Sequence, residues 1–314
     1  MEMRQLRYFV QIVECGSLSK ASVQLHVAQP ALSQQLARLE EEIGRPLMIR
    51  SARGVRPTDS GLALYHHARF TIRQFDQMLS AARSHTDVIQ GMVTVGLPAT
   101  TVATAGLSLV RRVRARYPKI LLNVVEGMSG HLAQLMRLGQ FDLAVLFRDD
   151  VAEGLRVEPL FSEELFVIAK AGSAFVPPDC NALSIAAVAR LPLILPTGAH
   201  GLRQRIDAEM AKHELTANVV AEIDSLALVM SCVHNDMGAT IKPLGAILQE
   251  GERGRPWLCL PFADATIRRS SYLYSLPPER QTTAAALVAA ELREIAAELA
   301  TDKSMRGFEL LGAR

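Results

Sequence analysis

The stretch GSLSKASVQLHVAQPALSQQLARLEEEIG, Gly16 to Gly44, leaves a folding chain few choices. Ahead of it, Leu6, Phe9, Val10 and Val13 repeat at i, i+3, i+4, i+7, the spacing of a helix with one apolar face, and Gly16 ends that helix. Ser17 is placed to cap a second helix carrying Leu18, Ala21 and Leu25 on one face. His26, Val27 and Ala28 make a short turn. Pro30 suits the first turn of a third helix, where a missing N–H costs nothing. There Leu32, Leu36, Leu39 and Ile43 face inward, which leaves Gln29, Ser33, Gln34, Ala37 and Arg38 outside. Two helices joined by a tight turn, the second with short polar side chains outward, have the layout of a helix-turn-helix. Gln can bond adenine through two atoms, and Ser reaches bases or phosphates. Glu40, Glu41 and Glu42 would repel phosphates, so the groove belongs to the N-terminal half, whose free N–H groups also favour phosphate. The plainer alternative is the solvated face of a small helical bundle.

The next segment, RPLMIRSARGVRPTDSG, reads as a strand from Leu47 to Arg50, a turn from Ser51 to Gly54, and a strand from Val55 to Thr58. Gly54 supplies a positive φ at the tip. Arg50, Arg53 and Arg56 line this hairpin with no acid between them. Residues 1–58 hold eight Lys and Arg against five Asp and Glu, and three of those five are the Glu40–Glu42 run. A local basic face follows, although the whole chain of 314 residues carries only +2. An Arg at a hairpin tip is placed to reach a minor groove.

Thr58 can cap a further helix over about 59–86, roughly 40 Å long at 1.5 Å per residue. Tyr65, Ala68, Ile72, Phe75, Leu79 and Ala82 follow one another in steps of three and four, a heptad seam. Packing onto its own domain would use such a seam; a partner chain explains its regularity better, with twofold symmetry placing two recognition helices on one palindrome.

From Gly91 the rhythm changes. GMVTVGL, KILLNVVEG and FDLAVLF read as strands separated by helices, and LPLILP, TANVVAEID and GATIKP repeat the pattern. This βαβαβ order predicts a parallel sheet covered by helices in each of two similar α/β subdomains. Later strands near RPWLCLPF and SSYLYSLP, and the helix TTAAALVAAELREIAAELA, return the chain to the first subdomain and make a two-strand hinge. Open α/β sheets bind ligands outside the carboxyl ends of their strands. The polar residues there are Thr100, Thr101, Ser129, Thr197, Gly198, His200 and Ser225, several at helix starts that attract a carboxylate or phosphate. Each has a duller alternative as a helix cap or a satisfied surface group. Arg148 and Arg203 could pair an anion or simply face solvent. TDKSMRGFELLGAR reads as a frayed tail, though FELL could dock.

Several classes are disfavoured. Cys15, Cys180, Cys232 and Cys259 form no CxxC pair and read as reduced core thiols of a cytosolic protein. The N-terminus lacks the pattern of a signal peptide, and no apolar run reaches about 18 residues. No GxxxxGK[ST], HExxH or GxSxG is present, and His66 and His67 are too close in sequence for a helical metal pair. We therefore expect no catalytic residue, no cofactor, no metal and no membrane contact.

On GSLSKAS, QPALSQQLARLEEEIG and RGVRPTDSG, residues 1 to about 85 resemble the N-terminal region of LysR-type transcriptional regulators, closest to the nitrogen-assimilation control type. The resemblance implies an N-terminal all-α winged helix-turn-helix (1–58), a long dimerisation linker helix and hinge (59–90), and an α/β effector domain of two subdomains like a periplasmic binding protein (91–300). Those subdomains would be about 91–161 with 266–300, and 162–265, followed by a tail (301–314). It implies DNA contacts from Gln29, Pro30, Ser33 and Gln34, with Ser17 and Lys20 on the backbone and Arg53 in the minor groove; Arg38 and Arg50 complete the basic face. Ala28 departs from the family's usual capping Ser or Thr, a loss of roughly 1 kcal/mol. Tyr65, Ile72, Phe75 and Leu79 would dimerise. The implied partners are a double-stranded operator, a small anionic or polar effector and further copies of the chain, as a dimer of dimers; RNA polymerase is a further candidate. A small-molecule-binding protein or enzyme on the same α/β fold is one rival, and a nucleoid protein without sequence preference another.

Overall fold

In the computed structural model of the chain, residues 1–51, 54–83, 89–150, 154–248 and 257–312 are described. The chain divides into two units, Met1–Gly91 with Arg137–Gln140, and Met92–Met136 with Phe141–Arg314.

In the first unit, α1 (Met3–Cys15) stops at Gly16, whose φ of 59° lets its N–H reach the Ile12 carbonyl. Helix α2 (Leu18–Leu25) ends at His26, also left-handed at φ 54°, and α3 (Gln29–Ile43) follows two residues later. Phe9, Ile12, Leu18, Ala21, Leu32, Leu36 and Leu39 close over Leu47 and Met48 in one core. Each large apolar side chain fully buried there contributes about 1.5–3 kcal/mol. Ile43, expected inside, is exposed: the core ends one turn earlier at Leu39, and Gly44 closes the helix. Strands β1 (Met48–Ser51) and β2 (Gly54–Pro57) pair as an antiparallel hairpin. Its Gly54 has φ 121°, and a Cβ there would lie 2.5 Å from the Gly16 carbonyl oxygen, so the wing packs backbone to backbone on the end of α1.

Helix α4 (Asp59–Arg83) starts from Thr58, whose Oγ1 accepts from the Gly61 N–H at 3.0 Å and donates to the Pro46 carbonyl at 2.8 Å. The helix start is thereby pinned to the strand entering the wing. A Cβ at Gly61 would lie 2.0 Å from the Leu47 carbonyl oxygen. Gly61→Ala is therefore expected to cost about 1–3 kcal/mol by overpacking and to lower the melting temperature of the full chain. An unchanged melting temperature would show that the wing can move aside freely.

The second unit opens with β3 (Gly91–Leu97). A helical stretch follows, α5 (Ala99–Thr101), a π segment (Val102–Gly106) and α6 (Leu107–Arg116). Then come β4 (Ile120–Glu126), α7 (Ser129–Arg137), β5 (Leu143–Leu146) and the 15-residue β6 (Arg156–Lys170). The chain continues through α8 (Ile185–Arg190), β7 (Leu193–Leu195), α9 (Gly201–Lys212), β8 (Val219–Glu222), α10 (Leu226–His234), β9 (Thr240–Pro243) and α11 (Gly245–Leu248). It closes with β10 (Trp257–Leu260), β11 (Arg268–Ser275), a short 3₁₀ turn (Pro278–Arg280), α12 (Thr283–Thr301) and β12 (Phe308–Leu310).

The sheet is mixed, which corrects the expected parallel one. β3 and β5 pair in parallel, but β11 runs antiparallel to both β5 and β6. Strand β6 is shared: Arg156–Glu164 pairs with β11, while Leu165–Lys170 pairs with β9 and β10. It escapes a reading by alternation because residues 160–163 and 165–169 are buried without interruption. Parallel β7 and β8 lie beyond β9, to which β7 is bridged at Leu193–Ala239. As far as residue 312 the tail is not frayed. β12 pairs with β6, and the Phe308 ring stacks on Phe161 at 4.4 Å between centroids. The four cysteines are free and half-buried rather than core.

Candidate functional site

On the first unit, Gln29, Pro30, Gln34 and Arg38 stand exposed along α3, and Ser33 is half-buried. The Arg50 guanidinium donates to Ser33 Oγ at 3.2 Å, so the wing and the third helix share one polar surface. Ser17 is a helix cap, its Oγ accepting from the Lys20 N–H at 3.3 Å, with the Lys20 side chain free in solvent. The Ala28 side chain caps nothing. Glu40, one of the three acids at the far end, is structural: its carboxylate accepts from the Leu47 and Met48 N–H groups at 2.7 and 3.1 Å. Arg53 lies outside the described residues.

The seam along α4 divides. Tyr65 packs against its own domain's core, donates to Glu14 at 3.2 Å and accepts from Arg69 at 3.3 Å. Burial raises its hydroxyl pKa. An ion pair between Arg7 and Asp76 ties α1 to the middle of α4. Ile72, Phe75 and Leu79 remain half-buried, and the Ala82 side chain is outside the description.

The second unit holds a cavity of about 250 Å³ at the carboxyl ends of its strands, opening beside a wider one of about 640 Å³. Thr100, Ser129, His200 and Ser225 come together in the inner cavity; Thr197 and Arg148 line the outer one. Thr101 and Gly198 line neither: the Thr101 hydroxyl is buried in the interior without a partner. Ser225 and His200 also act as caps, accepting from the N–H groups of Leu228 (3.4 Å) and Leu202 (3.0 Å). Because Nδ1 of His200 accepts, the neutral ring carries its proton on Nε2. Burial holds the ring below its ordinary pKa, with the Lys242 charge acting the same way. Arg203 is spent on Asp207 and Glu222 at 2.9 and 2.8 Å.

Two basic residues that sequence reasoning passed over define this cavity. Arg269 on β11 is 4 % exposed. It donates to Thr100 Oγ1 at 2.9 Å and to the buried Glu163 carboxylate at 2.7 Å, and its guanidinium lies 3.6 Å from the Phe147 ring centroid. Lys242 on β9 is 7 % exposed and, among the described residues, has neither a hydrogen bond nor an ion pair. Burial lowers its pKa to about 8, assisted by the Arg269 charge and opposed by Asp224. A desolvated ammonium without a partner is costly unless an anion completes it. The only sequence signal was a lysine inside the apolar run GATIKP.

Residues 86–297 match the LysR substrate binding domain, and residues 3–62 match the bacterial regulatory helix-turn-helix protein of the lysR family. The nitrogen assimilation regulatory protein nac of Escherichia coli (strain K12) is 36 % identical over 249 residues, 78 % of this chain and 79 % of that relative. The same-named protein of Klebsiella aerogenes is 35 % identical over 249 residues, with the same shares of each chain. A full-length OxyR mutant from Pseudomonas aeruginosa shares the fold with a TM-score of 0.73 at 20 % identity, covering 93 % of this chain and 95 % of its own. Full-length CbnR complexed with its target DNA gives 0.69 at 18 %, covering 94 % and 100 %. The chain belongs to the LysR family, as a DNA-binding transcriptional regulator, not an enzyme, with an effector-binding domain behind its helix-turn-helix.

Proposed function

We propose that this regulator reads its operator with the exposed row Gln29, Pro30, Gln34 and Arg38. Ser33 and Arg50 join that row to the wing, Ser17 and Lys20 lie along the phosphates, and Arg53 reaches the minor groove. We take 1–58 as the DNA-binding domain, 59–90 as the linker and 91–300 as the effector domain. Ile72, Phe75 and Leu79 then supply the dimer seam, with Tyr65 shared between its own core and the seam's edge. A dimer of dimers in the cytoplasm, contacting RNA polymerase, is the assembly this reading favours. Similarity to the two nac proteins makes nitrogen assimilation the first place to look for target genes.

The effector is a small molecule with an anionic group, and the unpartnered Lys242 at the inner cavity carries this reading. A neutral ligand would leave that charge uncompensated. Thr100, Ser129 and His200 surround the same space, with Thr197 toward the outer cavity. Ser225 lines the inner cavity as well and caps α10, while Thr101 and Gly198 lie outside both cavities. Binding regulates only through a difference in affinity between two states of the protein. A thermal-shift panel of carboxylates on the full chain tests this: a ligand at 100 times its dissociation constant stabilises by about 2.7 kcal/mol. Stabilisation that survives Lys242→Met would sink the reading.

For the operator, Gln34→Ala is expected to cost about 1–3 kcal/mol and to relax the sequence preference at one base pair. Arg50→Ala is expected to weaken all sequences alike and to lower the salt slope by about one. Gel-shift titrations at two salt concentrations separate the two. Unchanged binding in both variants would remove α3 and the wing from the interface.

A further inference from the structure

We propose that the effector is a compact zwitterion of the α-amino acid class, its carboxylate seated on Lys242 and its ammonium facing Asp224 and Glu126. The inference rests on the inner cavity being the effector site.

The charges on the cavity wall are sorted by depth. Lys242 and Arg269, the two cations, are buried. Arg269 is already answered by Glu163 at 2.7 Å, so the one uncompensated charge in the depth is Lys242. Helices α7 and α10, nine residues each, begin at the same wall with Ser129 and Leu226, and helix starts favour an anion. At the mouth the sign reverses. Asp224 and Glu126 line the cavity and are exposed. Glu126 reaches the cavity from the end of β4. Asp224 accepts from the Thr197 N–H and hydroxyl at 3.1–3.2 Å, which orders its carboxylate without an ion pair among the described residues. Asp224 shares this cavity with Lys242 and His200.

Each simpler ligand class leaves one of these groups wrong. A cation meets Lys242 and Arg269. A neutral molecule leaves Lys242 bare in a desolvated site. A dicarboxylate filling so small a cavity brings its second carboxylate against Asp224 and Glu126, a like-charge approach. A molecule with a buried carboxylate and an adjacent ammonium at the mouth answers every charge, and the apolar walls at Pro98, Ala99 and Leu226 accept its side chain.

The test is isothermal titration of the full chain at pH 7 with L-amino acids, each beside its 2-oxo acid, which lacks the ammonium, and its primary amide, which lacks the carboxylate. One amino acid is expected to bind at least about tenfold more tightly than both analogues, a charge-assisted hydrogen bond being worth that much. Lys242→Met should abolish its binding. Glu126→Gln with Asp224→Asn should bring its affinity down to that of the 2-oxo acid, leaving the 2-oxo acid no weaker. If a 2-oxo acid or another carboxylate binds as tightly as its amino acid, and does so through Lys242, the zwitterion is wrong and the anion site stands. If nothing in the three sets binds, or binding ignores Lys242→Met, both the inference and the anion site fail.

Discussion

Arg269→Met is expected to destabilise the regulatory half by about 3–5 kcal/mol, the cost of leaving one member of a buried ion pair without the other. Glu163 and Arg269 are each 4 % exposed and meet at 2.7 Å, so removing the guanidinium strands a carboxylate that no water reaches easily. The same substitution takes the hydrogen bond from Thr100 Oγ1 and the cation from the face of Phe147. Arg269 sits on β11, Glu163 on β6, and Thr100 on the helical stretch after β3, so one side chain ties three segments together. Urea unfolding of the single variants and of Arg269→Met combined with Glu163→Gln reads the coupling. The double variant should recover much of the loss, because no buried charge is then left alone. A double variant as unstable as the sum of the singles would show that the pair contributes nothing beyond packing.

How much of this was legible in the sequence differs between the halves. The helix-turn-helix could be read residue by residue, since its signals are local: a capping Ser17, a stop at Gly16, a Pro30 in the first turn, and apolar positions at helical spacing. Among the inward positions Ile43 is exposed, because the packing partner runs out before the helical pattern does, Val10 stays half-buried, and Ile12, fully buried in the core, lies off the face that the spacing marks. The regulatory half was legible as alternating strands and helices, but its antiparallel members were not. β6 is buried on both faces and has no period to read. β12 is three residues long, and its docking is set by the edge of β6 rather than by its own pattern. The site divided in the same way. Helix-start residues such as Thr100, Ser129, His200 and Ser225 were found because strand ends announce them. Lys242 and Arg269 were missed because a charged residue within a strand gives no local sign of being buried, or of which other strands it meets.

The largest effect on ligand binding is expected at Lys242, and it depends on pH with a definite sign. The groups facing Lys242 are Arg269, Asp224 and His200, with Glu126 at the mouth and Glu163 behind Arg269. His200, held below its ordinary pKa by burial, is neutral above pH 7. Lys242 is then the cavity group that changes charge between pH 7 and 10, with its midpoint at about 8. A bound carboxylate favours the ammonium and raises that midpoint. Affinity is therefore full below pH 8 and falls by about tenfold per pH unit above it, until the midpoint of the bound state is reached. A simple monocarboxylate such as propionate is the probe, because nothing on it titrates in this range. Lys242→Met should remove both the pH dependence and the binding. In the ligand-free protein the sign is opposite for stability. The folded-state pKa lies below the unfolded value, so the buried charge weakens the fold at pH 7, and the penalty fades as pH rises from 8 toward the unfolded pKa. Lys242→Met should then stabilise the free protein by on the order of 3 kcal/mol at pH 7 and by nothing near pH 10.5. A variant that lost ligand binding and stability together would mean that Lys242 holds the fold rather than the effector.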